Sequence, residues 1–271
     1  MILLFFYSSE NICDINDRLN VDLRSISLWM EENKLTLNAK KTKAMLFCSQ
    51  PKLDHSQHLK LYLNDVHLEN VNDCKYLGVV LDQTMSWKPH VNQICLNVSK
   101  YIGLFYRIRE WLATDQLNTI YKELVLPRLS YCDVVWGNCN GTLQTKIERL
   151  QKRAGRAILK VPVRTPSSIL LDKLNWTLLS DRRRRNLHIA VYKCLAKLVP
   201  QGLQNYFTLV QNKHGHQTRG SSNGNISLSF KPNTEAGRRT FLFRGGKAWN
   251  DLPTETKTPL PICAAVFKSR F

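Results

Sequence analysis

From Leu59 to about residue 82 the apolar residues of this chain alternate, and from Ser86 onward they repeat every three to four positions. A strand turns successive side chains to opposite faces, whereas a helix brings residues three and four apart onto one side. A chain that changes period once must therefore build a mixed first part and a helical second part, an α+β arrangement. Leu59, Leu61 and Leu63 alternate, Asn64-Asp65 supplies a turn, and Val66 and Leu68 answer on a return strand. Trp87, Val91, Ile94, Val98, Ile102 and Phe105 then step by 4, 3, 4, 4 and 3, which predicts one helix from Ser86 to about Trp111. Ser86 suits its N-cap, and Pro89 falls in the first turn, where a missing N–H costs little.

Before the switch, the apolar run Met1–Tyr7 reads as a short buried strand. A helix is expected over about Asp14–Asn33, with Leu19, Leu23, Ile26 and Met30 on one face. Short strands follow at Leu35–Asn38 and Lys43–Phe47 around the basic turn Ala39–Thr42, and a further strand at Lys75–Leu81. Together these give a small, mostly antiparallel sheet carrying one helix over residues 1–83. Residues 84–200 read as a helical bundle. Its second helix runs from Thr114 and stops before Pro127, with Leu117, Ile120, Tyr121 and Leu124 facing the core. A third spans Leu143–Leu159, a short one Ser168–Leu174, and the last about Ser180–Leu198. Residues 201–271 form a mixed, loop-rich region. Lys213–Asn225 is an exposed loop in it, and Phe241, Phe243, Trp249, Phe267 and Phe271 pack back.

Charge gives the first functional clue. The chain carries 39 Lys and Arg against 21 Asp and Glu, a formal net charge of +18. Residues 1–100 hold 11 of each sign, so the remaining 28 basic and 10 acidic residues of 101–271 carry the whole excess. A field of one sign confined to one region attracts a polyanion, and nucleic acid is the commonest. No apolar run approaches the ~18 residues of a membrane span. The leading apolar run lacks the basic flank and small-residue cleavage site of a secretion signal. Eight scattered cysteines read as free thiols of an intracellular protein, nuclear or cytoplasmic.

Two clusters offer phosphate contacts. Arg149, Arg153, Arg156 and Lys160 step by 4, 3 and 4 along the third helix, with Lys152 as a flank. Like charges so aligned repel unless water screens them or an anion neutralises them, so the stripe is either a solvated face or a backbone-following one. Arg182, Arg183, Arg184 and Arg185 oppose the positive end of the last helix. A bound phosphate relieves that; a nuclear-import tetrad or a helix that starts later explains it equally well. Gly245-Gly246, beside Arg244 and Lys247, is a bare turn or an anion cradle. Catalytic and metal-binding sets are not found. No adjacent Asp-Asp pair and no C-x-x-C pair occurs, and Cys132, Cys139, His214 and His216 lack ligand spacing.

The order of several segments resembles the reverse transcriptase of jockey-like non-LTR retrotransposons. These are Leu3–Ser9, the helix to Trp29, Asn33–Phe47, Lys75–Val79, Trp87–Val91, Tyr131–Gly137, the Arg149–Arg156 helix, and Phe241–Gly245 leading to Trp249–Pro253. The resemblance implies the end of a palm, then a thumb, then a C-terminal region. It implies that Lys40 and Lys41 lie near the incoming nucleotide, and that Tyr76, Leu77 and Gly78 form the primer grip. The partners so implied are an RNA or DNA template–primer and the upstream part of the polymerase. The family's paired aspartates would precede a strand like Leu3–Tyr7, so the Mg²⁺-holding carboxylates of the intact enzyme are expected outside these residues. A chain of this kind then binds nucleic acid without polymerising DNA by itself. The alternative is a noncatalytic binding protein or an inert relic.

Overall fold

A computed structural model of the chain describes residues 4–48, 58–212, 223–228, 231–257 and 264–269. It divides into two compact units, Met1–Gln93 and Ile94–Phe271. The helical content and short strands make the mixed α+β class plain.

In the first unit, α1 (Ile12–Glu32) begins where the Asn11 side chain accepts the Cys13 N–H. It buries Leu23, Ser27 and Met30. Leu23 packs in one cluster with Leu59, Leu61, Leu63, Leu68 and Ala44. The strands are short: β1 (Lys43–Ala44), β2 (Tyr62–Leu63), β3 (Val66–His67), β4 (Glu69–Asn70), β5 (Asp73–Tyr76) and β6 (Val79–Asp82). They pair as a parallel β1–β4 ribbon and as antiparallel β2–β3 and β5–β6 hairpins. Asn64 and Asp65 both take positive φ, the backbone of a tight two-residue hairpin turn. Where ladder partners run out, α1 supplies them. The Asn20 side chain donates to the Lys60 carbonyl at 2.9 Å and accepts the Tyr62 N–H at 3.0 Å, and Asn16 accepts the Lys60 N–H.

Several expectations fail in this unit. Leu4, Phe5, Phe6 and Tyr7 are exposed and form no strand, because an apolar run becomes a buried strand only when another strand offers it a ladder. Leu35–Asn38 is irregular, and Ala39–Lys41 forms a 3₁₀ turn rather than an open one. Lys75–Leu81 is two strands, broken by a turn at Leu77 and Gly78, both at positive φ. Val66 is exposed on the return strand.

Helix α2 (Lys88–Ile108) follows β6, and all six residues of its predicted stripe are buried. In the second unit, α3 (Thr114–Ile120) does not stop before Pro127. It widens into a π turn (Tyr121–Val125) and continues as α4 (Leu126–Ser130). Proline lacks an N–H and crowds the carbonyl four residues back, and the wider turn accommodates both. It also resets the face. Four-residue steps drift by ~40° in a regular helix, yet Leu117, Tyr121, Val125 and Leu129 are all buried, whereas Leu124 is exposed. Next come α5 (Asp133–Trp136), α6 (Gly141–Leu159), α7 (Ser167–Leu174), α8 (Leu179–Leu195) and α9 (Gln201–Gln204). After them come α10 (Glu235–Arg239), α11 (Phe241–Asn250), α12 (Thr254–Lys257) and α13 (Ala264–Lys268).

Leu187, Val191 and Cys194 are buried as expected, but α8 ends before Leu198, which is exposed. The C-terminal aromatics do pack back. Trp249 and Phe267 join Val191, Tyr192, Phe207 and Ile226 in one core, with the Tyr192 and Phe267 rings stacked at 4.5 Å. Gly245-Gly246 is neither turn nor cradle: both are buried inside α11. A Cβ on Gly245 would come within 2.9 Å of Val191, and one on Gly246 within 2.6 Å of Leu228, so these glycines set the packing distance. Most of the expected 213–225 loop, with His214 and His216, lies outside the described residues, as do Cys263 and Phe271. The described cysteines are free. No helix among the described residues is long and apolar enough to cross a membrane.

Candidate nucleic-acid interface

Helix α6 has two unlike sides. Its N-terminus is fixed by Asn140, whose side chain accepts the Leu143 N–H at 2.9 Å. Leu143, Ile147, Leu150, Ala154 and Ile158 are all buried, so the helix cannot rotate without losing its core stripe. That orientation turns Arg149 and Arg153 outward, with Lys152 half-buried between them. None of the three forms an ion pair among the described residues. Lys146, outside the predicted stripe, is exposed one turn before Arg149 and two turns before Arg153. The far end of the stripe is less open. Arg156 is half-buried and donates to the Thr165 carbonyl at 3.1 Å. Lys160 closes the helix in a left-handed conformation, 3.6 Å from Glu110.

The four arginines of α8 do not act as one surface. The helix begins at Leu179, which puts Asp181 in its first turn and the arginines just beyond. Successive residues on a helix diverge by ~100°, and the four separate accordingly. Arg182 is half-buried. Arg184 pairs with Asp181 at 2.6 Å, and Arg185 donates to the Lys268 carbonyl at 3.1 Å. Arg183 points inward, 8% exposed, and pairs with Glu148 of α6 at 2.9 Å. Its place as a phosphate contact is thereby corrected: a buried guanidinium bound to a carboxylate is not offered to a ligand. The signal was readable, because Arg183 continues the buried stripe of Leu187 and Val191 one turn back. Beside α8 lies an open cleft of 780 Å³ lined by Arg182, Arg185 and Lys268 but also by Asp181 and Asp251.

Near the Glu148–Arg183 pair sits a buried acid. Asp133 is 3% exposed and accepts a hydrogen bond from Asn186 at 2.7 Å. Burial pushes its carboxyl up to about 6, against the hydrogen bond and the nearby Arg183 charge, which pull it down. The folded chain therefore holds this proton more tightly than the unfolded one, and Asp133 costs stability as pH rises from about 4 to about 6. Asp133→Asn is expected to abolish that dependence and raise stability at pH 7 by about 2 kcal/mol. Urea unfolding at pH 4.5 and 7 checks it; an unchanged pH slope in the variant would refute the assignment.

The remaining candidates lie in the first unit. Lys40 and Lys41 are exposed on the 3₁₀ turn, where Asn38 accepts the Lys41 N–H at 3.2 Å. Tyr76 is half-buried, and Leu77 and Gly78 are exposed at the hairpin tip.

The chain is similar to retrotransposon RNA-directed DNA polymerases. It is 25% identical over 155 residues to the probable RNA-directed DNA polymerase from transposon X-element of Drosophila melanogaster, a match covering 56% of this chain and 17% of that protein. For the probable enzyme from transposon BS of the same species, identity is 25% over 171 residues, 62% of this chain and 19% of the relative. For the RNA-directed DNA polymerase from mobile element jockey of Drosophila funebris it is 26% over 157 residues, 57% and 17%. The jockey-like resemblance read from the motifs is thus borne out. The match spans less than a fifth of the length of these curated relatives. No family model and no solved structure matches the chain. The family's Mg²⁺ chemistry needs several converging carboxylates. Among the described residues no group of three or more His, Cys, Asp or Glu side chains is placed to hold a metal ion.

Proposed function

We propose that this chain is the nucleic-acid-gripping part of a retrotransposon RNA-directed DNA polymerase, holding template–primer through the exposed face of α6. The observation that carries the reading is Arg149, Lys152 and Arg153. They share one side of a helix whose opposite side is locked in the core, no carboxylate pairs with them among the described residues, and they lie in the region that holds all the surplus charge. Holding such cations together without an anion costs self-repulsion, which a phosphate backbone removes. Arg182, Arg184, Arg185, Arg156 and Lys160 would add to the field from sites partly committed to protein partners. By resemblance, Lys40 and Lys41 would lie near the incoming nucleotide and Tyr76–Gly78 would position the primer end. Binding rather than nucleotide joining is the role assigned to this chain. Incorporation of nucleotides by the purified chain with primer–template and Mg²⁺ would refute that division.

Salt dependence tests the surface. Each phosphate contact adds about −0.9 to the slope of log K against log salt on duplex DNA. The triple variant Arg149→Ala, Lys152→Ala, Arg153→Ala is expected to flatten the measured slope by about 2 to 3, with an unchanged circular dichroism spectrum. Equal slopes in the two proteins reject α6 as the contact face.

A further inference from the structure

Trp111 is 80% exposed on the turn that closes α2, its backbone N–H donating to the Ile108 carbonyl at 3.0 Å. An indole left this bare on a structured turn gives up the burial its size would otherwise supply. Its surroundings indicate what it meets. Tyr106 is also exposed, and the Arg109 guanidinium carbon lies 5.1 Å from the centre of its ring. Arg107 is exposed four residues before Trp111. Glu110, the acid in this turn, is shared between two cations: Arg109 Nε at 3.2 Å and Lys160 Nζ at 3.6 Å. That bridge ties the aromatic turn to the C-terminal end of α6, the helix whose basic face carries the proposed phosphate contacts. From Arg153 to Lys160 the helix rises ~10 Å, about three nucleotides of a strand at ~3.4 Å each.

We infer that Trp111 and Tyr106 form a stacking platform for unpaired bases, placed where a single strand leaves a duplex lying along α6. This rests on the nucleic-acid reading above and names the form of nucleic acid that the site takes. Every base offers a flat face to an aromatic ring, whatever the sequence, and the backbone beside it needs cations. A protein partner that sought an apolar patch would instead meet a turn that carries Arg107 and Arg109 and is bridged through Glu110 to Lys160. The charge selects an anionic strand.

The test compares three labelled probes by fluorescence anisotropy: a blunt 16-base-pair duplex, the same duplex with a five-nucleotide overhang at either end, and a single strand. The full chain is expected to prefer the overhang duplex to the blunt one. The Tyr106→Ala, Trp111→Ala variant is expected to lose about tenfold or more on the overhang and single-strand probes. Its blunt-duplex affinity should stay within about twofold. Trp111→Phe, which keeps a ring, should recover most of the loss. Equal weakening on all three probes would place the aromatics in the duplex face and overturn the platform; so would no weakening on any. If the full chain binds no probe, the polymerase-grip reading falls with it. If blunt-duplex binding and its salt slope persist without an overhang preference, only the platform falls.

Discussion

Glu148→Ala is expected to destabilise the Ile94–Phe271 unit by about 3–5 kcal/mol, because it leaves the Arg183 guanidinium buried without its carboxylate. Arg183 is 8% exposed, and the Glu148 side chain 17%. Water cannot fully replace the lost partner at this depth, and Arg183 Nη1 already lacks a hydrogen-bond acceptor among the described residues. Asp133 nearby offers only part of a substitute, since burial disfavours its charged form. For a unit of this size each kcal/mol moves Tm by about 2–4 °C, so a fall of roughly 10 °C is expected. The exposed Arg184–Asp181 pair is the internal control. Asp181→Ala should cost less than about 1 kcal/mol, because solvent screens that pair and both side chains lose freedom in making it. The double variant Glu148→Met, Arg183→Met removes both charges together and should recover most of the loss. An effect of Glu148→Ala no larger than that of Asp181→Ala would show that Arg183 is not held as a buried ion pair.

That pair also marks where reading the sequence stops. The core stripes of α1, α2 and α6 and the hairpin turn at Asn64-Asp65 were legible because each is a local pattern: a period, or two residues that accept positive φ. The exposed side of α6 followed from its buried side. For Arg183 the burial was legible, one turn before Leu187 and Val191 on the same face, but the partner was not, because Glu148 lies 35 residues away. The exposure of Leu4–Tyr7 departs from the expected strand for a related reason. Apolar composition says that a strand can form there, but a strand also needs a neighbour. Pro127 was taken as a stop, whereas a π turn lets the helix pass it. Gly245-Gly246 was taken as a turn, whereas the missing side chains admit Val191 and Leu228. Trp111 carried no local signal at all: its significance lies in its exposure and in the Glu110–Lys160 bridge.

Asp82 carries the second large effect, now in the Met1–Gln93 unit. Ser86 was expected to cap α2, and its hydroxyl does meet the Lys88 N–H at 3.3 Å, but the stronger organiser is four residues earlier. The buried Asp82 carboxylate accepts the Thr84 hydroxyl at 2.7 Å and the backbone N–H groups of Ser86 and Trp87 at 2.9 Å each. These bonds hold Trp87 at a φ of 65°, a left-handed conformation costly for a large side chain, while its indole stays in the core. Burial alone would raise this carboxyl; the hydrogen bonds from Ser86, Thr84 and Trp87 together outweigh it and hold it below the ordinary value of 3.8. Its stabilising contribution is therefore complete above the unfolded pKa and lost as pH falls through the folded one. Asp82→Ala strands one buried and one part-buried N–H group and releases the strained turn, at an expected cost of about 3 kcal/mol. At 1.36 kcal/mol per tenfold, amide exchange at Ser86, Trp87 and the first turn of α2 should accelerate by about a hundredfold. Asp82→Asn, which keeps one acceptor oxygen, should lose about half as much. Exchange at these amides that stays at the wild-type rate in Asp82→Ala would mean that α2 is started by Ser86 alone.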